Sequence, residues 1–599
     1  MPRNGANVQR GDQSRSLQGL HVALEHPKLS TYPRVLCAAA RACRAWREAV
    51  QQCAACNTVI VLNPQTTLPQ LCGFAQWLPK HAALVKSVTA TAIADRLLDV
   101  HGLEWRAHWE VAQQLLQHGL QAAAPPPQTA LGAAAAAPGL APVIANSHNA
   151  AATAGQQQQQ RLQGLRLTSF SSNFAGTAGV VAALPAHSLT SLHLEYNEGM
   201  PPAGPGLPAG LACLTGLQHV HHNNRCQRQP LVRKPPVLPG GCVAALSALR
   251  QLTYLSLRSY WHDAQQQLQQ LMEAAPPLQC LHLGNSVDAS DEALDMRPLT
   301  RLTELTASQL PHESLLPAQL QRLCLKSVEI PVGLACVLPL QQLQHLSLGV
   351  GGDEGPTEPT PLLPLAQLPA LTQLELSYTW FTDATATAAA WPQLPQLRVL
   401  DLDTEGNPPS AELAGVLASI GGCSGLTRLR LVLHAEDVEL PEDLEPGQQY
   451  AGIAACGSLA ALTGLRDLML HSHQLAPGDT LALSKLTALT RLDLAELAQG
   501  VDDVAATALA CCCRQLRHLD LRGCDLGSMA CLAVIGQLPQ LTELHLDGTP
   551  ITRRGLRLLT GLSYLRQLRV TFSAGVTASV WDRFWATMPK QVLTADVAA

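Results

Sequence analysis

Leucines recur along this chain in one spacing, L-x-x-L-x-L. Full copies begin at Leu162 (Leu162/Leu165/Leu167), Leu189, Leu252, Leu278, Leu320, Leu343, Leu371, Leu397, Leu426, Leu465, Leu489, Leu516 and Leu541. Looser copies begin at Leu217, Leu302 and Leu565, and most steps between copies are 23–29 residues. The second and third leucines lie two apart, so on a strand they point to one side and the residue between them points to the other. Each copy therefore predicts one short strand with an apolar inner face. Such a strand cannot bury that face alone, and the copies must stack in parallel. The return segments "DDVAATALACCCRQL" and "SMACLAVIGQL" are apolar at helical spacing, while "PLAQLPAL" is short and broken by proline.

This spacing, sustained over so many copies, resembles the leucine-rich repeat family. The resemblance implies an α/β fold: a leucine-rich-repeat solenoid with a curved parallel sheet on the concave side, helices and irregular turns on the convex side, and helical caps at both ends. The family places Asn eight residues after the first Leu, where it bonds the turn. Here that position is Asn once, at Asn197, and elsewhere Phe170, Tyr260, Cys524 or Thr549, so an Asn ladder is absent and irregular turns are expected. "LDLRGC" resembles the cysteine-containing subtype found in F-box leucine-rich-repeat proteins.

The pattern divides the chain. Residues 1–56 form a polar N-terminus with amphipathic helices. Residues 57–120 hold "NTVIVLN" and "LVKSVTA", read as two early strands, and a helix across 94–121. Residues 121–160 are an Ala, Pro and Gln spacer expected to be disordered. Repeats fill 161–575, and 576–599 form a C-terminal cap, where Trp581, Phe584, Trp585 and Met588 share one helical face behind Thr577 as N-cap. Two long gaps between repeats carry a basic, proline-rich loop ("RCQRQPLVRKPPVLPGG") and an acidic one ("HAEDVELPEDLEPGQQ").

Composition sharpens this. Hydrophobic residues make up 47% but aromatic residues only 4%, so the core is built from thin layers of Leu, Ala and Val. A net charge of -5 implies no broad nucleic-acid field. No apolar run is long enough to span a membrane. The 18 cysteines, the absence of a signal-like start and of any Asn-x-Ser/Thr site favour a reduced, cytoplasmic setting, with the nucleus or a cytoskeletal or axonemal compartment as alternatives.

No Walker loop, H-E-x-x-H, G-x-S-x-G or dinucleotide turn is present. The expectation is a non-enzymatic protein, with no cofactor, no metal, no nucleic acid and no membrane as partner. Asp401, Asp403 and Glu405 alternate in "DLDTE" as a solvated strand face would. Cys53-x-x-Cys56 lacks a second pair, so Cys37, Cys43, Cys53 and Cys56 read as small apolar thiols. His193, His221, His282 and His345 read as mid-strand surface residues, and His219, His221 and His222 as a surface cluster. The best candidate site is the outward strand face, where Tyr196, Tyr254, Arg258, Arg322, Lys326, Tyr378, Arg428, Arg430, Asp493 and Arg522 are expected to meet a protein partner, because Tyr and Arg concentrate interface energy.

The segment "LCAAARACRAWREAV" (36–50) resembles the second half of an F-box, with Cys43, Arg44 and Trp46 matching its Cys-Arg pair and Trp. The resemblance implies docking to the adaptor subunit of an SCF-type ubiquitin ligase, with the repeats holding a substrate. Two further readings stay open. The same helix serves as a cap on the first strand, and the whole chain serves as a structural or regulatory scaffold in a cytoskeletal or axonemal assembly.

Overall fold

The computed structural model describes residues 58–62, 66–82, 85–90, 98–124, 165–173, 178–196, 206–224, 237–258, 260–261, 264–284, 293–311, 313–326, 332–349, 362–378, 389–404, 417–433, 456–472, 475–476, 478–497, 500–524, 526, 529–549, 551–571 and 576–588, with single positions at 38, 42, 415 and 454. These fall in two compact units, one within residues 1–290 plus 298–302 and the other within 291–297 plus 303–599. The fold is the expected α/β leucine-rich-repeat solenoid.

In the first unit the strands β1 (Thr58–Leu62), β2 (Val85–Ala90), β3 (Ser169–Ser172), β4 (Ser191–Tyr196), β5 (His219–Asn224), β7 (Tyr254–Arg258) and β9 (Cys280–Leu283) pair in that order, all parallel. The two-residue strands β6 (Val237–Leu238) and β8 (Tyr260–Trp261) form a separate parallel ribbon. β1 and β2 are the strands read in "NTVIVLN" and "LVKSVTA". They are separated by the helix Leu68–His81 and followed by the helix Leu98–Ala123.

The second unit runs through β10 (Glu304–Ala307), β11 (Arg322–Leu325), β12 (His345–Gly349), β13 (Gln373–Tyr378), β14 (Val399–Thr404), β15 (Arg428–Leu433), β16 (Asp467–Ser472), β17 (Arg491–Asp493), β18 (His518–Asp520), β19 (Glu543–Leu546) and β20 (Gln567–Val570). Each is parallel to the next. The returns expected to be helical are helices at Asp503–Cys512 and Met529–Ile535, and "PLAQLPAL" makes a 3₁₀ turn at Leu363–Gln367.

The leucine spacing fixes the core. Leu397, Leu400 and Leu402 are buried, as are Leu489, Leu492 and Leu494 and the equivalent triplets of neighbouring repeats. Each fully buried leucine contributes about 1.5–3 kcal/mol. The bulkiest exceptions are Trp391 and Phe170, both fully buried. Phe170 also corrects the first repeat. β3 aligns Phe170 with Leu192 and Ser172 with Leu194, so the repeat frame is Leu167/Phe170/Ser172 and not Leu162/Leu165/Leu167. Two of its three core positions are not leucine, which hid the frame.

Neighbouring repeats are stitched by threonine rather than asparagine. The residue after the first leucine is Thr in many copies. Its hydroxyl donates to the carbonyl of the same position one repeat earlier: Thr190 Oγ1 to Thr168 O at 3.0 Å, Thr427 Oγ1 to Arg398 O at 3.1 Å, Thr490 Oγ1 to Arg466 O at 3.0 Å and Thr542 Oγ1 to Arg517 O at 2.8 Å. At the position where the family has Asn, Cys524 donates to Leu494 O at 3.3 Å and Thr549 to Leu546 O at 2.7 Å. The residue before it turns left-handed in three successive repeats, at Glu496 (φ 66°), Gly523 (φ 69°) and Gly548 (φ 77°).

The helix Ala578–Thr587 closes the described C-terminus and buries Trp581 and Phe584, with Met588 buried just beyond it. Thr577 stands at the N-cap, but its hydroxyl pairs with Ser579 Oγ at 3.1 Å instead of a backbone amide. Apart from positions 38 and 42, the F-box-like segment with Cys43, Arg44 and Trp46 lies outside the described residues, as do the cysteines Cys37, Cys53 and Cys56, the spacer beyond residue 124, the basic loop up to residue 236 and the acidic loop.

Candidate functional site

Because the leucines point inward, each strand offers its alternate positions to the open face. In the second unit the first of these positions runs Glu304, Arg322, His345, Gln373, Val399, Arg428, Asp467, Arg491, His518, Glu543, Gln567. The next runs through Cys324, Ser347, Glu375, Asp401, Arg430, Met469, Asp493, Asp520, His545 and Arg569. Parallel pairing puts residues of equal rank side by side, so opposite charges one repeat apart meet.

From β13 to β17 they meet as ion pairs. Arg430 holds Asp401 at 2.9 Å and Asp403 at 3.6 Å, and its Nε donates to Met469 Sδ at 3.2 Å. Arg428 pairs with Asp467 at 2.8 Å, which Arg491 approaches from the other side at 3.9 Å. Burial raises the Asp401 carboxyl above its usual range. Arg430 offsets part of that, while Glu375 and Asp403 add to it. A groove of about 320 Å³ opens across β11–β15, lined among others by Lys326, Glu375, Asp401, Asp403 and Arg430.

From β16 to β19 the partners become histidines. His471 Nε2 lies 2.9 Å from Asp493 Oδ1, which also accepts from the Ala495 amide at 3.2 Å. Asp520 accepts from Arg522 Nε at 2.9 Å and from His545 Nδ1 at 3.0 Å, and His518 Nδ1 meets Glu543 Oε2 at 2.8 Å. Burial alone would push Asp520 up, but the hydrogen bonds from His545 and Arg522 outweigh it and hold the carboxyl at about 2.

The first unit carries an aromatic face instead. His193 and His221 lie ring to ring at 4.3 Å, and Tyr254 stands 6.1 Å from His219 and 5.4 Å from His282. Burial, then His193, Arg258 and His282, lower His221 to about 4.

Among the residues predicted for this face, Arg322, Lys326 and Arg428 are exposed, and Tyr254, Arg258, Arg430 and Arg522 are half-buried. Tyr196 and Tyr378 end β4 and β13. Asp493 departs from expectation: it is only 4% exposed, held by His471 and the Ala495 amide, and works as a bracket inside the face. His345 is not mid-strand. That position belongs to Ser347, and His345 takes the first strand position, 9% exposed and 3.7 Å from Glu375. His222 is not a surface residue. It replaces the third leucine of its repeat, beside Leu194 and Leu257, and is 5% exposed. The sequence reading passed over His471, His518 and His545. Writing the repeats beneath one another would have exposed them, since "LRHLDL" and "LTELHL" put His518, Asp520 and His545 in adjacent columns.

Residues 512–530, which include His518, Asp520 and Arg522, match the leucine-rich repeat family. No curated protein matches the sequence. Similar solved structures include a leucine-rich-repeat protein of Leptospira interrogans, 15% identical with a TM-score of 0.33 over 67% of this chain and 95% of that one. Another is TLR13 in its complex with ssRNA13, 15% identical with a TM-score of 0.33 over 68% of this chain and 64% of that one. No described helix is long and apolar enough to cross a membrane.

Proposed function

We propose that this chain is a non-enzymatic protein-interaction scaffold that holds a protein partner on the open strand face of its second unit. The observation that carries this is the ladder of arginines at Arg428, Arg430 and Arg491, each lying outward of a less exposed carboxylate at Asp401, Asp403 or Asp467. The carboxylates orient the guanidinium groups in advance, so less side-chain entropy is lost on contact. Guanidinium groups of this kind concentrate interface energy, and the adjoining groove gives a partner's side chain a place to enter. Among the described residues, nothing on this face combines a nucleophile, a base and an oxyanion donor, which supports binding over catalysis.

The test is quantitative affinity purification of the full chain against Arg428→Glu/Arg430→Glu, with Arg554→Glu on a return helix as control. Partners retained by the wild type should fall about tenfold with the double reversal and stay with the control. Equal recovery in all three samples would refute the placement.

The finer reading is that residues 36–50, with Cys43, Arg44 and Trp46, dock the adaptor of an SCF-type ubiquitin ligase while the strand face holds the substrate. Its support is the sequence resemblance and the position of the segment just ahead of β1. Deleting residues 1–56 should then remove the adaptor from the purified material and leave strand-face partners in place. Adaptor recovery that is unchanged by the deletion, or absent throughout, would exclude it.

A further inference from the structure

The edge at which the strands of the second unit begin is built differently from the open face. There the backbone ladder continues one residue ahead of each strand. The amide of that residue donates to the carbonyl of the same position one repeat earlier: Arg466 N to Thr427 O at 2.9 Å, Thr490 N to Arg466 O at 2.8 Å, Arg517 N to Thr490 O at 2.7 Å and Arg566 N to Thr542 O at 2.7 Å. From β14 to β20 this position alternates strictly, with Arg398, Arg466, Arg517 and Arg566 separated by Thr427, Thr490 and Thr542. The threonine hydroxyls turn back onto the arginine carbonyls, whereas all four arginines are exposed. Neighbouring strands lie about 4.8 Å apart, so the arginines recur every ~10 Å along a row of roughly 29 Å.

Charge on this edge is one-sided. No Asp or Glu occurs in the four residues ahead of any strand from β11 to β20, and Arg514 adds a further arginine. On the open face Arg428, Arg430, Arg491 and Arg522 each meet a carboxylate. Among the described residues none of the edge arginines does. Arg398 and Arg514 donate instead to the Gly425 and Cys511 carbonyls, at 2.9 and 3.0 Å. The acids next along the chain, Asp467 after Arg466 and Glu543 after Thr542, are bonded to Arg428 and His518. Guanidinium groups in a row with no counter-charge of their own attract anions, and their planar forks match carboxylates.

We propose that the strand-entry edge of the second unit docks an extended acidic segment of a protein partner, at a site separate from the open face. The fit is one of charge and spacing. An extended chain advances about 3.3 Å per residue, so carboxylates three residues apart meet successive arginines, and roughly ten residues span the row. A nucleic-acid duplex carries phosphates on two strands flanking a groove and fits a single row less well. Exposed ion pairs are individually weak, so binding depends on several arginines together and on ionic strength.

The test is fluorescence anisotropy of a labelled oligoglutamate of about twelve residues, long enough to span the row, titrated with the full-length protein. Binding should saturate at low salt and weaken on the order of tenfold at physiological salt. Arg466→Thr/Arg517→Thr installs the residue that alternate repeats already carry, and should weaken binding about tenfold. Arg466→Lys/Arg517→Lys keeps the charge and should retain most of the binding. Arg553→Gln/Arg554→Gln removes as much charge from a return helix and should leave binding unchanged. Unlabelled oligoglutamate should compete better than an oligothymidylate of equal charge. The proposal is overturned by absence of saturable binding at low salt, or by equal weakening in the threonine and return-helix variants. It is also overturned if the oligothymidylate competes better, which would make the edge a site for single-stranded nucleic acid.

Discussion

His222 shows how one residue departs from its repeat. It stands where the repeat requires a leucine, in register with Leu194 and Leu257. Burial, followed by the neighbouring His221 and His193, pulls its imidazole from an ordinary 6.5 to about 3. The folded state therefore holds it neutral, while the unfolded chain takes up a proton below about 6.5. Its contribution to stability is complete above that pH and is lost as pH falls from 6.5 toward 3. We expect His222→Leu to raise the unfolding midpoint of the first unit, and to raise it more at pH 5 than at pH 8, by an amount on the order of a few kcal/mol. Urea melts at the two pH values check this. Some acid sensitivity should persist through His221, which is lowered to about 4. Parallel acid losses in the variant and the wild type would contradict the assignment. Its burial was not legible beforehand, because a triplet of histidines reads as polar until the frame Leu217/Val220/His222 is taken literally. Asp493 misled in the opposite way: its parity was read correctly, but its cover by His471 comes from the preceding strand.

At the scale of the repeat, most of the architecture was legible because leucine spacing and strand parity are the same fact. Where leucine gave way, as at Phe170 and Ser172, matching by letter slipped the first frame by five residues. The threonine bonds were not foreseen. A hydroxyl following the first leucine looks like ordinary surface chemistry until the repeats are stacked. Each bond adds a third donor to a carbonyl that already accepts two amides from the next repeat, as Arg466 O does from Thr490 and Arg491. Thr490→Val keeps the side-chain volume and removes only the hydroxyl. It should destabilise the second unit by about 0.5–1.5 kcal/mol, measured by chemical denaturation, whereas Thr487→Val in the preceding turn, where no such ladder runs, should cost less. Equal costs at the two sites would deny the ladder a structural role.

For the whole chain, the cysteines report on folding in place. The sequence reading took them for reduced thiols, and those in the described residues are all free. Cys72, Cys213, Cys511 and Cys512 are exposed. Others fill core positions: burial pushes Cys242 and Cys531 up to about 12, Cys423 to about 11, and Cys513 and Cys524 to about 12. Alkylation requires the thiolate, so raised thiols shielded by the core should stay unmodified at pH 8 while the exposed four react. Repeat proteins unfold through nearest-neighbour interfaces. Cys513, Cys524 and Cys531 lie in one or two adjoining repeats and should become reactive together as urea rises, with Cys242 reporting the first unit on its own curve. Peptide mass spectrometry after pulsed iodoacetamide labelling resolves each site. Labelling of Cys513 or Cys524 in the native protein at the rate of Cys511 would mean that the last repeats open without unfolding, and that the leucine core described here does not hold them shut.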